Sequence, residues 1–170
     1  MNKPSLSIIT ATYNAAKLIS ITADSIRNLF GIDYEWIIID GKSNDNTVEI
    51  LSQYSNIITI LVSEPDNGIY DAWNKGLSFI KNDWIIFIGA GDELYPKGVF
   101  DMLIALDNIE DKPLIAYGNV LYITESTRSP VEIAGLPWSE IKDDWEFYLP
   151  KLPAHPSVFH SLTLFRDHQM

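Results

Sequence analysis

Across roughly its first hundred residues the chain alternates short apolar, β-branched runs with amphipathic stretches, and no other feature constrains its fold as tightly. A nearly continuous apolar run is buried on both faces, and a helix-period segment between two such runs carries the chain back to begin a parallel neighbour. Four units follow this rule. Leu6-Ser7-Ile8-Ile9-Thr10 reads as a strand, followed by Ile19, Ala23, Ile26 and Phe30 at helical spacing and by Gly31, a helix stop. Glu35-Trp36-Ile37-Ile38-Ile39 is the second strand, and Asn46-Thr47-Val48-Glu49 resembles a capping box opening a short helix to Tyr54. Ile57 to Val62 is the third strand. Beyond Glu64-Pro65-Asp66-Asn67-Gly68, the residues Ile69, Ala72, Trp73, Gly76, Leu77 and Ile80 mark the clearest helix. Asp83 to Ile88 is the fourth strand, and Pro96 takes a first-turn position ahead of Val99, Met102, Leu103 and Leu106. The spacing predicts one α/β domain with a mostly parallel central sheet flanked by helices.

After residue 112 the pattern changes. Leu114–Tyr117 and Val120–Ile123 read as strands, but prolines at 130, 137, 150, 153 and 156 interrupt longer elements, so an irregular C-terminal part without a closing strand or helix is expected. A chain of 170 residues, 46% of them hydrophobic, suits one domain with a substantial core. A net charge of −11 repels a phosphate backbone, which argues against nucleic acid as a partner. The absence of cysteine excludes a disulfide framework and thiolate metal sites. No apolar run approaches the roughly 20 residues needed to span a bilayer, and the first residues carry no signal-peptide pattern, so a cytoplasmic location is expected.

In an open parallel sheet, ligands bind beyond the carboxyl ends of the strands, where helix N-termini supply unpaired N–H groups. The four exits carry Thr10-Ala11-Thr12-Tyr13-Asn14, Asp40-Gly41-Lys42-Ser43, Glu64-Pro65-Asp66-Asn67-Gly68 and Gly89-Ala90-Gly91-Asp92-Glu93. Carboxylates at three of them are expected to converge on one edge. With no cysteine and few histidines, such acids suit Mg2+ or Mn2+, which keeps waters and accepts substrate phosphate oxygens. Any one of these acids alone is adequately explained as a helix cap. Gly41-Lys42-Ser43 does not complete a P-loop, because the required first glycine falls at Trp36. Gly89-Ala90-Gly91 likewise fails as a dinucleotide fingerprint at Leu94, and His155 and His160 lack the partners of a zinc site.

At these residues the chain resembles family 2 nucleotide-sugar glycosyltransferases, inverting enzymes with the A-type glycosyltransferase fold. Ser7 to Asn14 is similar to the opening strand whose exit holds the nucleoside, with Ala11 and Thr12 beside it and Tyr13 placed to stack on the base. Ile38 to Thr47 resembles the second motif, in which Asp40 would accept a hydrogen bond from uracil. Ser63 to Gly76 matches the segment lining the nucleotide pocket, which implies Asp66, Asn74 and Lys75 as contacts. Phe87 to Leu94 falls at the Asp-x-Asp-like metal motif, and Ala154 to Phe159 is similar to a histidine segment near the donor diphosphate, placing His155 there.

The resemblance implies Asp92 as the metal ligand even though Gly91 stands where a second aspartate is common. It implies a donor-binding half over 1–112 and an incomplete acceptor-side half over 113–170, because family members continue into a region that supplies the catalytic base. That base is expected to be absent from this chain: Asp143, Asp144, Glu146 and Asp167 remain, none at the family's position. Trp138, Trp145, Phe147 and Tyr148 flank them as ordinary packing or a sugar-binding face. The implied reaction is transfer from a nucleotide diphosphosugar, a UDP-sugar, to a saccharide or lipid-linked acceptor in polysaccharide assembly. Its alternatives are a truncated, non-catalytic nucleotide-sugar binding domain and a nucleotidyltransferase, the latter opposed by the lack of a glycine-rich basic loop at Thr10–Asn14. Apolar surface left uncovered is expected to favour a homodimer or contact with the inner face of the membrane.

Overall fold

The computed structural model describes residues 3–124, 126–142 and 154–166. Its elements run β1 (Ser5–Thr12), α1 (Ile19–Arg27), β2 (Asp33–Asp40), α2 (Thr47–Ser52), β3 (Ile60–Ser63), α3 (Ile69–Leu77), β4 (Trp84–Gly89) and α4 (Pro96–Asp107). There follow β5 (Ile115–Tyr117), β6 (Val120–Ile123), β7 (Pro130–Ala134), α5 (Trp138–Ile141), a 3-10 turn at His155–Ser157, β8 (Val158–Ser161) and α6 (Leu162–Arg166). Six strands form one sheet in the order β3-β2-β1-β4-β8-β5, while β6 and β7 pair as a separate ribbon. Strands β1 to β4 are mutually parallel, and β8 runs antiparallel to both its neighbours. This is the mixed, mostly parallel α/β architecture that the alternation predicts.

Strand alternation divides the core in two. Leu6, Ile8, Trp36, Ile38 and Ile86 face α1, α2 and α4 through Ile19, Ala23, Ile26, Leu51, Val99 and Leu103. Ile9, Ile37, Ile39, Ile85 and Phe87 face Ala72 and Trp73 of α3 and Leu162 of α6. All of the sheet positions named are buried, which is why the strands read as continuous apolar runs rather than as alternating ones. The indole of Trp36, buried within β2, satisfies its N–H by donating to Thr10 Oγ1 at 2.9 Å.

Five details differ from the sequence expectation. Helix α1 ends at Arg27, so Phe30 leaves the helix and stacks on Phe100 at 5.7 Å while remaining half exposed. Strand β3 begins three residues later than expected, because the Tyr54 carbonyl accepts N–H groups from both Ile57 and Ile58 and holds them in the turn. The start of α2 is capped by Asp45, whose Oδ1 accepts the Thr47 N–H at 3.0 Å, and not by the Asn46 side chain. The C-terminal stretch does contain closing elements: β8 inserts between β4 and β5, and α6 follows it against the α3 side of the sheet. Pro130 opens β7 instead of breaking it, since a two-stranded ribbon leaves edge positions that need no N–H.

Candidate functional site

The parallel register places the exits of β1, β2, β3 and β4 along one edge of the sheet. Thr12 lies level with Asp40, Asp40 with Ser63, and Ala11 with Gly89. Two of these exits are joined by a lattice of hydrogen bonds. Asn14, in the left-handed region with φ 49°, donates its N–H to Ser43 Oγ at 2.8 Å, and its side-chain oxygen accepts the Asn44 N–H at 2.9 Å. Ala15 N–H donates to Thr47 Oγ1 and Ala16 N–H to Asp45 Oδ2. The Asp45 carboxyl is held below the usual carboxylate range, chiefly by the hydroxyl of Thr47. Tyr13 stands at the crest of this lattice with 63% of its surface exposed, available to stack on a planar ligand, while Ala11 is half-buried below it. Thr12 is buried with its Oγ1 unpaired among the described residues.

Asp40 has no exposed surface. Its carboxylate accepts the Ser43 N–H at 2.9 Å, the Ser43 hydroxyl, and the Ser63 hydroxyl at 2.6 Å. The structure therefore gives Asp40 the task of closing the β2 turn, where Lys42 has a φ of 61°, and of tying that turn to β3. Contact with uracil, which the sequence resemblance implies, would require this buried hub to open. Asp66 is the carboxylate presented beside it. Its Oδ1 accepts the Gly68 N–H at 2.9 Å, and its Oδ2 lies 2.7 Å from where a Cβ on Gly41 would stand, so glycine at 41 makes room for it. Lys75 donates to the Pro65 carbonyl at 2.9 Å and pairs with Glu64 at 3.0 Å and Asp71 at 3.5 Å, which fastens the β3 exit loop to α3. Glu64 is the main cause of the upward displacement of the Lys75 pKa, and the Asn67 N–H is the main cause of the lowering at Asp71. Asn74 is exposed on the same helix.

Asp92 sits in the turn that leaves β4. Its Oδ2 accepts the Gly89 N–H at 2.7 Å, and burial raises its pKa against the opposing effect of that bond. A partly desolvated carboxylate with one oxygen unbonded favours a cation beside it. The acids of this edge do not gather into one nest: among the described residues no three His, Cys, Asp or Glu side chains are grouped to hold a metal. The reason is local, since Asp40 turns inward on its own loop and Asp66 on Gly68. A cation at Asp92 would thus have fewer than three such side chains from the described residues, and phosphate oxygens and water would complete its shell, which fits Mg2+ or Mn2+. Glu93, next along the chain, pairs with Arg128 in the β6–β7 turn and so brings that ribbon to the same edge.

His155 is brought to this edge by the 3-10 turn packed on β4. Its exposed ring lies 5.1 Å from that of Trp73, which meets Tyr70 edge-on at 5.5 Å and Phe87 at 5.0 Å. His160, five residues on, is set apart among Phe87 and Phe165, and burial lowers its pKa. Asp143, Asp144, Trp145, Glu146, Phe147, Tyr148 and Asp167 lie outside the described residues, as does the side chain of Trp138. Sequence reasoning missed Thr22 and Ser25, two buried hydroxyls of α1 that bond to the β4 turn. The available signal was their position: polar residues three apart on the helix face whose other members, Ile19, Ala23 and Ile26, are apolar.

The family model described as Glycosyl transferase family 2 matches residues 7–156. A PGL/p-HBAD biosynthesis glycosyltransferase of Mycobacterium bovis (strain BCG / Pasteur 1173P2) is 27% identical over 168 residues, covering 97% of this chain and 62% of the relative. The putative teichuronic acid biosynthesis glycosyltransferase TuaG of Bacillus subtilis (strain 168) is 34% identical over 94 residues, 54% of this chain and 37% of TuaG. Among solved structures, S. aureus TarS 1-349 in complex with UDP-GlcNAc aligns with a TM-score of 0.73 at 18% identity, over 98% of this chain and 47% of that one. The mannosyltransferase PcManGT from Pyrobaculum calidifontis, in complex with GDP-Man and Mn2+, aligns at 0.64 with 17% identity, over 98% and 47%. The two structural likenesses establish a shared fold, and the chain spans under two thirds of the length of these relatives. Matched over most of its length by the family model, the chain belongs to glycosyltransferase family 2.

Proposed function

We propose that this chain binds a nucleotide diphosphosugar, a UDP-sugar, at the edge formed by the four strand exits, as the donor-side part of an inverting glycosyltransferase of polysaccharide assembly. The observation that carries the reading is the placement of Asp92 at the β4 exit beside the stapled β1 and β2 loops, with His155 on the other flank. Tyr13 offers its face to the base above Ala11 and Thr12. Asp66 supplies the carboxylate at the β2 turn, Asp40 holds that turn in shape, and Lys75 and Asn74 line the α3 side. The names of relatives in PGL/p-HBAD and teichuronic acid biosynthesis accord with transfer to a saccharide or lipid-linked acceptor.

The chemistry is a single displacement in which an acceptor hydroxyl attacks the anomeric carbon, giving up its proton to a carboxylate base of the acceptor-side region, as the nucleoside diphosphate leaves. Asp92 would hold Mg2+ or Mn2+, which when bound offsets the negative charge growing on the leaving diphosphate. The chain's own groups act by position: Tyr13 and Asp66 orient the nucleoside, and His155 lies on the diphosphate side beside Trp73. The test is calorimetric titration of the purified chain with UDP, with and without Mn2+, followed by UDP-sugar hydrolysis on the same sample. Binding that tightens with Mn2+ is expected. Hydrolysis beside it supports transfer by this chain, whereas binding without turnover supports a donor-binding domain alone. No UDP binding by a folded sample overturns the proposal.

A further inference from the structure

The turn that carries Asp92 is closed on Gly89, whose carbonyl accepts the Asp92 N–H at 3.2 Å and whose N–H donates to Asp92 Oδ2 at 2.7 Å, but these bonds tie it to no neighbouring element. Gly89, Ala90 and Gly91 precede the aspartate, and Gly91 stands at a φ of +101°, in a region open to glycine and to few other residues. A segment with two glycines in three residues has many conformations to choose from, and its carboxylate moves with the backbone. What ties this turn to the rest of the fold comes from helix α1. Thr22, with no exposed surface, accepts the Gly91 N–H on its Oγ1 at 2.8 Å and donates the same hydroxyl to the Asp92 carbonyl, also at 2.8 Å. One turn further along α1, Ser25 Oγ accepts the Leu94 N–H at 3.1 Å and donates to the Thr22 carbonyl at 2.8 Å. The turn is thus gripped on both sides of Asp92. A single hydroxyl must donate and accept at once, which an alcohol does and an isosteric methyl does not.

We propose that Thr22 is a positioning residue for the cation site at Asp92, with Ser25 as the second half of the same clamp. This rests on the reading of Asp92 as a metal ligand. Thr22 touches neither cation nor nucleotide; it acts by setting where the Asp92 backbone lies and hence where its free carboxylate oxygen points. Partners of this outer kind typically alter metal affinity by about 10- to 100-fold when removed. The clamp matters more here than where several carboxylates share the ion, because no group of three candidate ligands is present among the described residues.

The experiment compares wild type, Thr22→Val, Thr22→Ser, Ser25→Ala and Asp92→Asn. For each, UDP affinity is measured by calorimetry without metal and with saturating Mn2+, well below the melting temperature, and Mn2+ binding to the UDP complex is followed independently by its electron paramagnetic resonance. The expected result is that Thr22→Val keeps its metal-free UDP affinity and loses about tenfold or more of the Mn2+-dependent tightening, while Thr22→Ser restores it. A lowered melting point alone, with the full Mn2+ response retained, assigns Thr22 a purely structural task and overturns the proposal. If Asp92→Asn also keeps the full Mn2+ response, the reading of Asp92 fails and the proposal falls with it, an outcome distinct from the first. Should Thr22→Val not fold, Ser25→Ala carries the same expectation in a milder form, and an unchanged Mn2+ response there is equally decisive against the clamp.

Discussion

Helix α3 approaches the sheet closely at Gly76, and filling that contact has a calculable consequence. A Cβ built on Gly76 would stand 2.6 Å from Cγ2 of Ile9, well inside van der Waals contact. Ile9 cannot yield easily: it has no exposed surface, its strand is hydrogen-bonded on both sides, and a β-branched side chain is stiff at χ1. In Gly76→Ala the added methyl improves helix propensity by about 1 kcal/mol. Against this stands an overpacking cost of about 1–3 kcal/mol, so the net expectation is a destabilisation of up to about 2 kcal/mol. For a chain of this size that lowers Tm by up to about 8 °C. The assay is thermal unfolding of four proteins: wild type, Gly76→Ala, Ile9→Leu, and the double variant. Leucine moves the branch from Cβ to Cγ and removes the methyl that Gly76 faces. In the Ile9→Leu background, Gly76→Ala is therefore expected to be neutral or stabilising. An equal effect of Gly76→Ala in both backgrounds refutes the argument that close approach to Ile9 is what requires glycine.

Two further expectations concern polar groups buried away from the site. Glu35 is buried at the opposite end of the sheet, where its Oε1 accepts the Ser7 hydroxyl at 2.5 Å and the Lys81 N–H at 2.6 Å. Glu35→Ala strands both donors and is expected to cost about 1–3 kcal/mol in chemical denaturation without altering UDP affinity; a cost near zero removes this network from the stability of the fold. His160 lies between Phe87 and Phe165, and burial holds its pKa below 6.5, so the unfolded chain takes up the proton more readily than the native one. Stability linked to this group is present above pH 6.5 and is lost as the pH falls through the folded-state value. His160→Phe is expected to flatten that acid-side fall in melting temperature; an unchanged pH profile shows that other groups cause it.

Much of this architecture was legible in the residues themselves because its signals are local. Continuous apolar runs such as Glu35–Ile39 announce strands buried on both faces, the spacing of Ala72, Trp73 and Gly76 announces one packed helix face, and Pro96 announces a helix start. The location of the site follows from the same signals, since polar, acidic segments recur wherever such a strand ends. Motif resemblance then pointed to the family that the comparison shows.

Other features depended on which distant segments meet, and no local pattern carries that information. The four residues from Val158 to Ser161 offer little periodicity, and only their insertion between β4 and β5 makes a strand of them. Asp40 and Asp66 look alike in the sequence as acids at strand exits. In the fold one is drawn under Ser43 and Ser63 and the other is laid over Gly41, because the β2 and β3 exits come together. Thr22 and Ser25 read as imperfections in an apolar helix face until the β4 turn, about seventy residues away, closes over them. Secondary structure and the edge that bears the site are set by short-range sterics and hydrophobic periodicity, which each segment carries within itself. Which carboxylate faces outward, and what holds it there, is set by hydrogen bonds between segments far apart in the chain, and those exist only once the sheet has assembled.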